Sequence, residues 1–116
     1  MKNTAAQERL DELFEYMDRF SEGYPEIERS FKDLAGSIMQ DGALSAKHKE
    51  LVAVGIAVGL RCLPCIYTHT RSALGLGATA EELMEAASVA VLMSGGPGMA
   101  HVAEVMKAIE SFSSQT

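Results

Sequence analysis

The chain has 116 residues, a common length for one domain with an ordinary hydrophobic core, and we expect a single domain over residues 1–116. Sixteen acidic against ten basic side chains give a formal net charge of -6, which argues against nucleic acid or an anionic membrane surface as a partner. The longest apolar run, LVAVGIAVGL, is about half of a membrane span, and the start of the chain lacks the apolar stretch of a signal peptide, so we expect a soluble, cytoplasmic protein.

Helical patterning begins near the start of the chain. Apolar residues recur at spacings of three and four over 10–20 and again over 27–38, where Pro25 suits the first turn of a helix. Ser45 can cap a third helix that ends at about Leu60, and a fourth helix is predicted over 63–75, before the glycines of GLGAT.

The second half of the chain continues the same pattern. Thr79 and Glu82 have the spacing of a capping box, which predicts a fifth helix that ends at about Met93. The glycines of SGGPG interrupt the chain, and Pro97 can begin a sixth helix that ends near Ile109. No alternating strand pattern is present in the sequence. The sequence therefore predicts an all-α fold of six helices.

The third predicted helix is unusual because LVAVGIAVGL is apolar on every side rather than along one stripe. In a water-exposed protein such a helix is expected to be buried all round, Val54 included. Six helices in a chain of this size leave little room to enclose one of them completely. We therefore expect neighbouring subunits to cover part of it, in a homo-oligomer.

The segment RCLPCIYTHT, residues 61–70, contains both cysteines of the chain and one of its three histidines. Cys62 falls at the cap of the fourth helix and Cys65 in its first turn, where unpaired backbone N–H groups and the helix dipole favour a thiolate. Arg61 adds a cation nearby. His69 follows Cys65 by four residues, on the same helix face one turn further on, within reach of its thiol.

A carboxylate can be added to this group from the geometry of a helical hairpin. If the third and fourth helices pack antiparallel about a turn near residues 60 and 61, Glu50 lies opposite the neighbourhood of position 70. A carboxylate beside His69 would hold the imidazole in orientation. Glu50, His69 and Cys65 then form a series of orienting group, base and nucleophile.

Other interpretations of these residues remain open. Cys62, Cys65, His69 and Glu50 could together bind zinc, since C-x2-C-x3-H is a plausible ligand spacing. The chain could also be a helical assembly module with inert thiols, and a purely structural disulfide is the less common use of a close cysteine pair in a reducing compartment. His48 and His101 have no second ligand at metal spacing, and we expect them at the surface.

The spacing E-x11-C-x2-C-x3-H from Glu50 to His69, with the segment SGGPGMAH, resembles the carboxymuconolactone decarboxylase and alkylhydroperoxidase D (AhpD-like) superfamily. The resemblance covers about residues 44–109. It implies an all-helical AhpD-like fold that assembles as dimers, trimers or hexamers. It also implies a cysteine pair that cycles between dithiol and disulfide without a bound cofactor.

The resemblance further implies a role for each residue of the motif. Cys65 would attack the peroxide and Cys62 would resolve the resulting sulfenic acid, with Glu50 and His69 as proton relay. The substrate would be a small-molecule peroxide or disulfide, and a protein or small-molecule thiol would be the reductant. Alkylhydroperoxidase D proteins carry a histidine directly before the second cysteine, where this chain has Pro64. A more general peroxide or disulfide reductase is therefore equally consistent, and the decarboxylase branch of the superfamily is the alternative.

Overall fold

The computed structural model describes residues 4–113, which form helices and connecting turns without a strand. The predicted bounds 1–116 of the domain extend beyond these residues at both ends. The helices, in chain order, are α1 (Ala5–Gly23), α2 (Pro25–Ile38), α3 (Ala46–Leu60), α4 (Leu63–Gly75), α5 (Ala80–Ser94) and α6 (Gly96–Ser113). The all-α fold of six helices is thus confirmed, and α6 extends four residues beyond the predicted end at Ile109.

Three of the helices begin at a side-chain cap. Ser45 Oγ accepts the N–H of His48 at 3.1 Å at the start of α3, and Cys62 caps α4. At the start of α5, Thr79 and Glu82 form the predicted capping box, with hydrogen bonds of 2.9 and 3.1 Å. Each cap satisfies backbone N–H groups that the first turn of a helix leaves unpaired. These local signals fix where α3, α4 and α5 start.

The core lies between α3, α4, α5 and α6, and α1 packs across α4 and α6. Two glycines allow close approach of helices. A Cβ on Gly55 would lie 3.2 Å from the carbonyl oxygen of Ala86, where α3 meets α5. A Cβ on Gly98 would lie 3.1 Å from the carbonyl oxygen of Ala90, where α6 turns back on α5. The largest fully buried side chains include Leu10, Val54, Ile66, Leu83, Val105 and Phe112.

Burial on every side of α3 was predicted, and within one chain this is wrong. Val54, Ala57 and Val58 are buried, but α3 also exposes an apolar face. This face consists of Val52, Ile56 and Leu60, which are 52%, 57% and 70% exposed. The reason is that α4, α5 and α6 pack against one side of α3 only, and α2, which packs against α1 alone among the described helices, leaves the other side open.

None of the described helices combines the length and the apolar character of a membrane-spanning segment.

Candidate active site

The turn between α3 and α4 places both cysteines at the apex of a helical hairpin. Arg61 adopts the left-handed conformation, with φ 58° and ψ 40°. The N–H of Cys62 donates to the carbonyl of Ala57 at 3.0 Å, and the N–H of Arg61 donates to the carbonyl of Val58 at 3.1 Å. This pattern closes the end of a helix and normally uses glycine at the left-handed position. The chain therefore reverses direction within two residues and enters α4 directly.

Cys62 and Cys65 are joined by a disulfide, with their Cα atoms 5.3 Å apart. Cys62 is the N-cap of α4, and its sulfur accepts the backbone N–H of Cys65 at 3.3 Å. Pro64 lies between them in the first turn, where a missing N–H costs nothing. Both cysteines are partly exposed. After reduction the two sulfurs would therefore lie at the positive end of a helix dipole, which favours thiolate.

Glu50 and His69 form the contact that the hairpin geometry predicted. Nδ1 of His69 lies 2.7 Å from Oε1 of Glu50, across the antiparallel α3 and α4. Glu50 is 7% exposed and is the most buried acidic side chain in the described part of the chain. Because a carboxylate only accepts hydrogen bonds, Nδ1 of His69 donates and Nε2 is left as the basic nitrogen. A buried Glu50 is thereby paired, and the imidazole is held in one orientation.

The third predicted link, from His69 to Cys65, is not a hydrogen bond in this disulfide form. Among residues 4–113, His69 makes no hydrogen bond to either sulfur. The two side chains do lie on one face of α4, separated by one turn. The roles of all four residues therefore stay predictions, while the placement of Glu50 against His69 is a property of the structure.

Sequence reasoning missed the contacts that fix α4 on its other side. Tyr67 is 2% exposed, and its hydroxyl donates a hydrogen bond to Glu104 on α6. Burial, and then this bond, hold the pKa of Tyr67 above its ordinary value, so the hydroxyl stays a donor. Arg71 lies over the rings of Phe14 and Phe112, at 5.9 and 5.5 Å. No local pattern could have shown these contacts, because their partners are far apart in sequence.

The zinc interpretation finds no support in the arrangement of side chains. Over residues 4–113, no three His, Cys, Asp or Glu side chains gather in a way that could hold a metal ion. His48 lies at the surface beside Ser45, with 2.9 Å between Nδ1 and Oγ. Nδ1 of His101, which is partly buried, donates to the carbonyl of Pro97 at 2.8 Å.

Comparison with known protein families identifies the fold and motif together. The model of the carboxymuconolactone decarboxylase family matches residues 25–108, a range that includes the cysteine pair, Glu50 and His69. The chain belongs to the carboxymuconolactone decarboxylase family. The superfamily that the E-x11-C-x2-C-x3-H spacing predicted is thus confirmed.

The chain is also similar to several family members and relatives. An uncharacterized protein of Cupriavidus necator is 33% identical over 103 residues, which cover 89% of this chain and 91% of that protein. Uncharacterized protein 4 in the cox locus of Paracoccus denitrificans is 36% identical over 84 residues, 72% of this chain and 76% of that protein.

Solved structures of family members have the same fold. A carboxymuconolactone decarboxylase family protein of Legionella pneumophila superposes with a TM-score of 0.90 and 37% identity, covering 94% of this chain and 97% of its own. A family protein of Thermotoga maritima superposes with a TM-score of 0.80 over 92% of both chains. At 23% identity, this second likeness shows the fold alone.

Proposed function

We propose that this carboxymuconolactone decarboxylase family protein is a thiol-dependent oxidoreductase that reduces a small-molecule peroxide or disulfide. Cys65 is the attacking thiol, Cys62 the resolving thiol, and Glu50 with His69 the proton relay. One observation carries the proposal: the Cys62–Cys65 disulfide lies at the start of α4, one turn from a histidine that a buried carboxylate orients. A pair that only braced the fold would have no need of an oriented base beside it.

The reaction with a peroxide balances in two steps. The thiolate of Cys65 attacks the outer oxygen of ROOH, the O–O bond breaks, and the alcohol leaves with one proton while Cys65 becomes a sulfenic acid. The thiol of Cys62 then attacks that sulfur, the disulfide forms, and water leaves. A dithiol reductant returns two electrons and two protons. With a disulfide substrate, Cys65 instead forms a mixed disulfide and releases one thiol, and Cys62 releases the second.

His69 supplies and removes the protons in these steps. Nε2 is the nitrogen that Glu50 leaves free, and the spacing of His69 from Cys65 places both on one face of α4. Nε2 can accept the thiol proton of Cys65 and return it to the leaving alcohol. Such a base typically contributes ~100-fold or more to the rate. No bound cofactor is needed for this chemistry.

The reverse assignment of the two cysteines is a second candidate, because one contact favours it. The backbone N–H of Cys65 points at the sulfur of Cys62, and such a bond stabilises a thiolate at the N-cap. Cys62 would then attack first. The two assignments differ in which single substitution stops the first step, so one experiment separates them.

The test uses the reduced protein, Cys62→Ser and Cys65→Ser, each mixed with one equivalent of hydrogen peroxide and a sulfenic-acid trapping reagent. We expect Cys62→Ser to consume peroxide and carry the trapped adduct on Cys65, whereas Cys65→Ser reacts at the rate of a free thiol. Wild type should lose both thiols to one intrachain bond, located by mass spectrometry. An adduct on Cys62 in Cys65→Ser, with an inert Cys62→Ser, would establish the reverse assignment.

Two further results would reject the oxidoreductase proposal itself. If the wild-type thiols react with neither peroxide nor small disulfides faster than free cysteine, the pair is structural. If a Cys62→Ser, Cys65→Ser double variant retains a decarboxylase activity measured as release of carbon dioxide, the alternative branch of the superfamily applies, because that chemistry does not depend on the cysteine pair.

A further inference from the structure

Helix α2 has a complete apolar face with nothing packed on it. Its apolar residues follow one another at spacings of four, three and four, so they share one side of the helix. No residue of α2 is buried, and α1 is the only described helix that packs against it. The apolar face of α2 consists of Ile27, Phe31, Leu34 and Ile38, which are between 54% and 68% exposed.

Both ends of α2 are nevertheless held in place. The ring of Tyr24, at its start, stacks on Phe20 of α1 with 5.1 Å between centroids. At its end, Nζ of Lys49 donates hydrogen bonds to the carbonyls of Ile38 and Gln40, at 2.7 and 2.6 Å. A helix of 14 residues is only marginally stable in water unless its apolar face is covered. A helix anchored in this way is presented to a partner rather than folded onto its own core.

A matching surface lies on the far side of α3. The outer faces of α3 and α5 form an open groove of about 610 Å³ with an almost wholly apolar lining. Gly55 and Gly59 carry no side chain and deepen its floor, and the close approach of Gly55 to Ala86 holds the two helices together there. The walls of the groove include Val52, Ile56, Val89 and Met93.

We propose that the apolar face of α2 from one copy of this chain packs into the α3–α5 groove of a second copy. The chain cannot make this contact with itself, because its own α2 packs against α1 and not against α3 or α5. Leu44, in the loop directly after α2, lines the groove, so the two surfaces adjoin on one chain. A two-fold axis close to Leu44 would pair each α2 with the groove of the other copy, which closes the assembly.

A second copy explains both open surfaces at once. Every chain that offers the helix also offers the groove, so a reciprocal pair leaves neither exposed. A different protein or a small apolar ligand in the groove would leave the apolar face of α2 in water. The contact is apolar on both sides, and its strength should therefore depend little on salt concentration.

Sedimentation of four proteins tests the contact. Wild type should sediment as an oligomer, whereas Phe31→Asp and Ile56→Asp should each weaken self-association more than ~10-fold. Both side chains are more than half exposed in the single chain, so circular dichroism should show unchanged helix content. Arg29→Asp places the same new side chain on the opposite face of α2 and should leave association unchanged.

Mixing the two defective variants separates this contact from its alternatives. Phe31→Asp keeps an intact groove and Ile56→Asp keeps an intact α2, so the mixture should form a mixed pair although neither variant associates alone. If α2 packed on α2, or groove on groove, every mixed contact would still contain one altered surface, and no mixed pair would form. That outcome would overturn the proposal.

A photo-crosslinker at position 31 gives the direct readout. In a mixture of isotope-labelled and unlabelled wild-type chains carrying it, the intermolecular product should join position 31 to a peptide that contains Ile56 or Met93. Crosslinks to α1 or α2 of the second copy, or a monomeric wild type, would overturn the proposal. A monomer whose groove binds an apolar fluorescent dye, with binding lost in Ile56→Asp, would assign the groove to a small ligand instead.

Discussion

The α3–α4 hairpin and the α1–α2 hairpin have similar sequence patterns and differ in what holds them. In the first, side-chain caps begin both helices, the Glu50–His69 pair ties them together, and a disulfide lies at the apex. In the second, neither helix has a side-chain cap hydrogen bond, and α2 touches α1 without burying a residue. Apolar periodicity shows that a helix has a face to bury. It does not show whether the same chain covers it.

The same contrast occurs within α3 itself. Glu50, Val54 and Val58 are buried toward α4, α5 and α6, whereas Val52 and Ile56 point to the open groove. One side of this helix therefore supports the fold and the candidate active site. The other side is available for a partner. Substitutions on the two sides should separate folding from assembly.

The largest effect is expected at Val54. Val54→Asp buries an unpaired charge in the core of the single chain and should lower the free energy of unfolding by several kcal/mol. Ile56→Asp, two residues later on the open side, should change the stability of the monomer by ~0.5 kcal/mol or less. Urea unfolding followed by circular dichroism measures both, at a concentration where Ile56→Asp is monomeric. Equal losses in the two variants would remove the distinction between the sides of α3.

The next effect concerns the relay inside the α3–α4 hairpin. Glu50→Gln and His69→Ala should each slow reaction with peroxide by ~100-fold, about 2.7 kcal/mol of activation free energy. The double variant should be little slower than either one, because residues that act as a unit are strongly non-additive. Single-turnover peroxide consumption measures all three.

A second readout guards against a merely structural role for this pair. The pH dependence of alkylation, recorded at each cysteine separately, should move for Cys65 in both single variants and less for Cys62. Should Cys65 keep its wild-type profile in both, the start of the helix alone activates it. Glu50 and His69 would then serve only to join α3 to α4.

The sequence predicted the parts of the molecule that depend on local signals or on one short connection. The six helices, the caps at Ser45 and Thr79, and the Glu50–His69 contact all follow from spacing and a tight turn. The Tyr67–Glu104 bond could not be predicted, because it depends on how α4 and α6 are placed. The open face of α3 was missed for a similar reason, since its cover depends on packing between helices and not on its own composition.

A smaller effect is expected at the capped start of α5. Thr79→Ala removes the oxygen that accepts the N–H of Glu82 and should cost ~1 kcal/mol in the free energy of unfolding. Hydrogen bonding to the N–H of Thr79, followed by the contact with Lys47, lowers the pKa of Glu82 below its usual 4.5. A lowered pKa contributes stability above pH 4.5, and this contribution is lost as the pH falls through the lowered value.

The acid dependence of the cap has its own control. Glu82→Gln can still accept the N–H of Thr79 but does not titrate. Wild type should therefore lose stability relative to Glu82→Gln as the pH drops below 4.5, in thermal unfolding at low salt. A constant difference between pH 7 and pH 3 would contradict this account of the capping box.

The smallest expected effect lies at the turn that separates the two cysteines from α3, where Arg61 adopts a left-handed conformation that costs a non-glycine residue about 1–2 kcal/mol. Glycine relieves that strain but adds freedom to the unfolded chain, at about 0.5–1 kcal/mol, so Arg61→Gly should stabilise the fold by about 0.5–1 kcal/mol. The α1–α2 turn has no such residue, since Tyr24 has φ -137°. If the exposed guanidinium also favours the cysteine thiolates, alkylation should slow by a few-fold at most, as surface charges contribute little. Arg61→Lys keeps the charge and the strain, and should change neither quantity. A more stable Arg61→Gly with wild-type alkylation would leave Arg61 without a part in the chemistry, and a destabilised one would mean that its side chain makes contacts worth more than the strain.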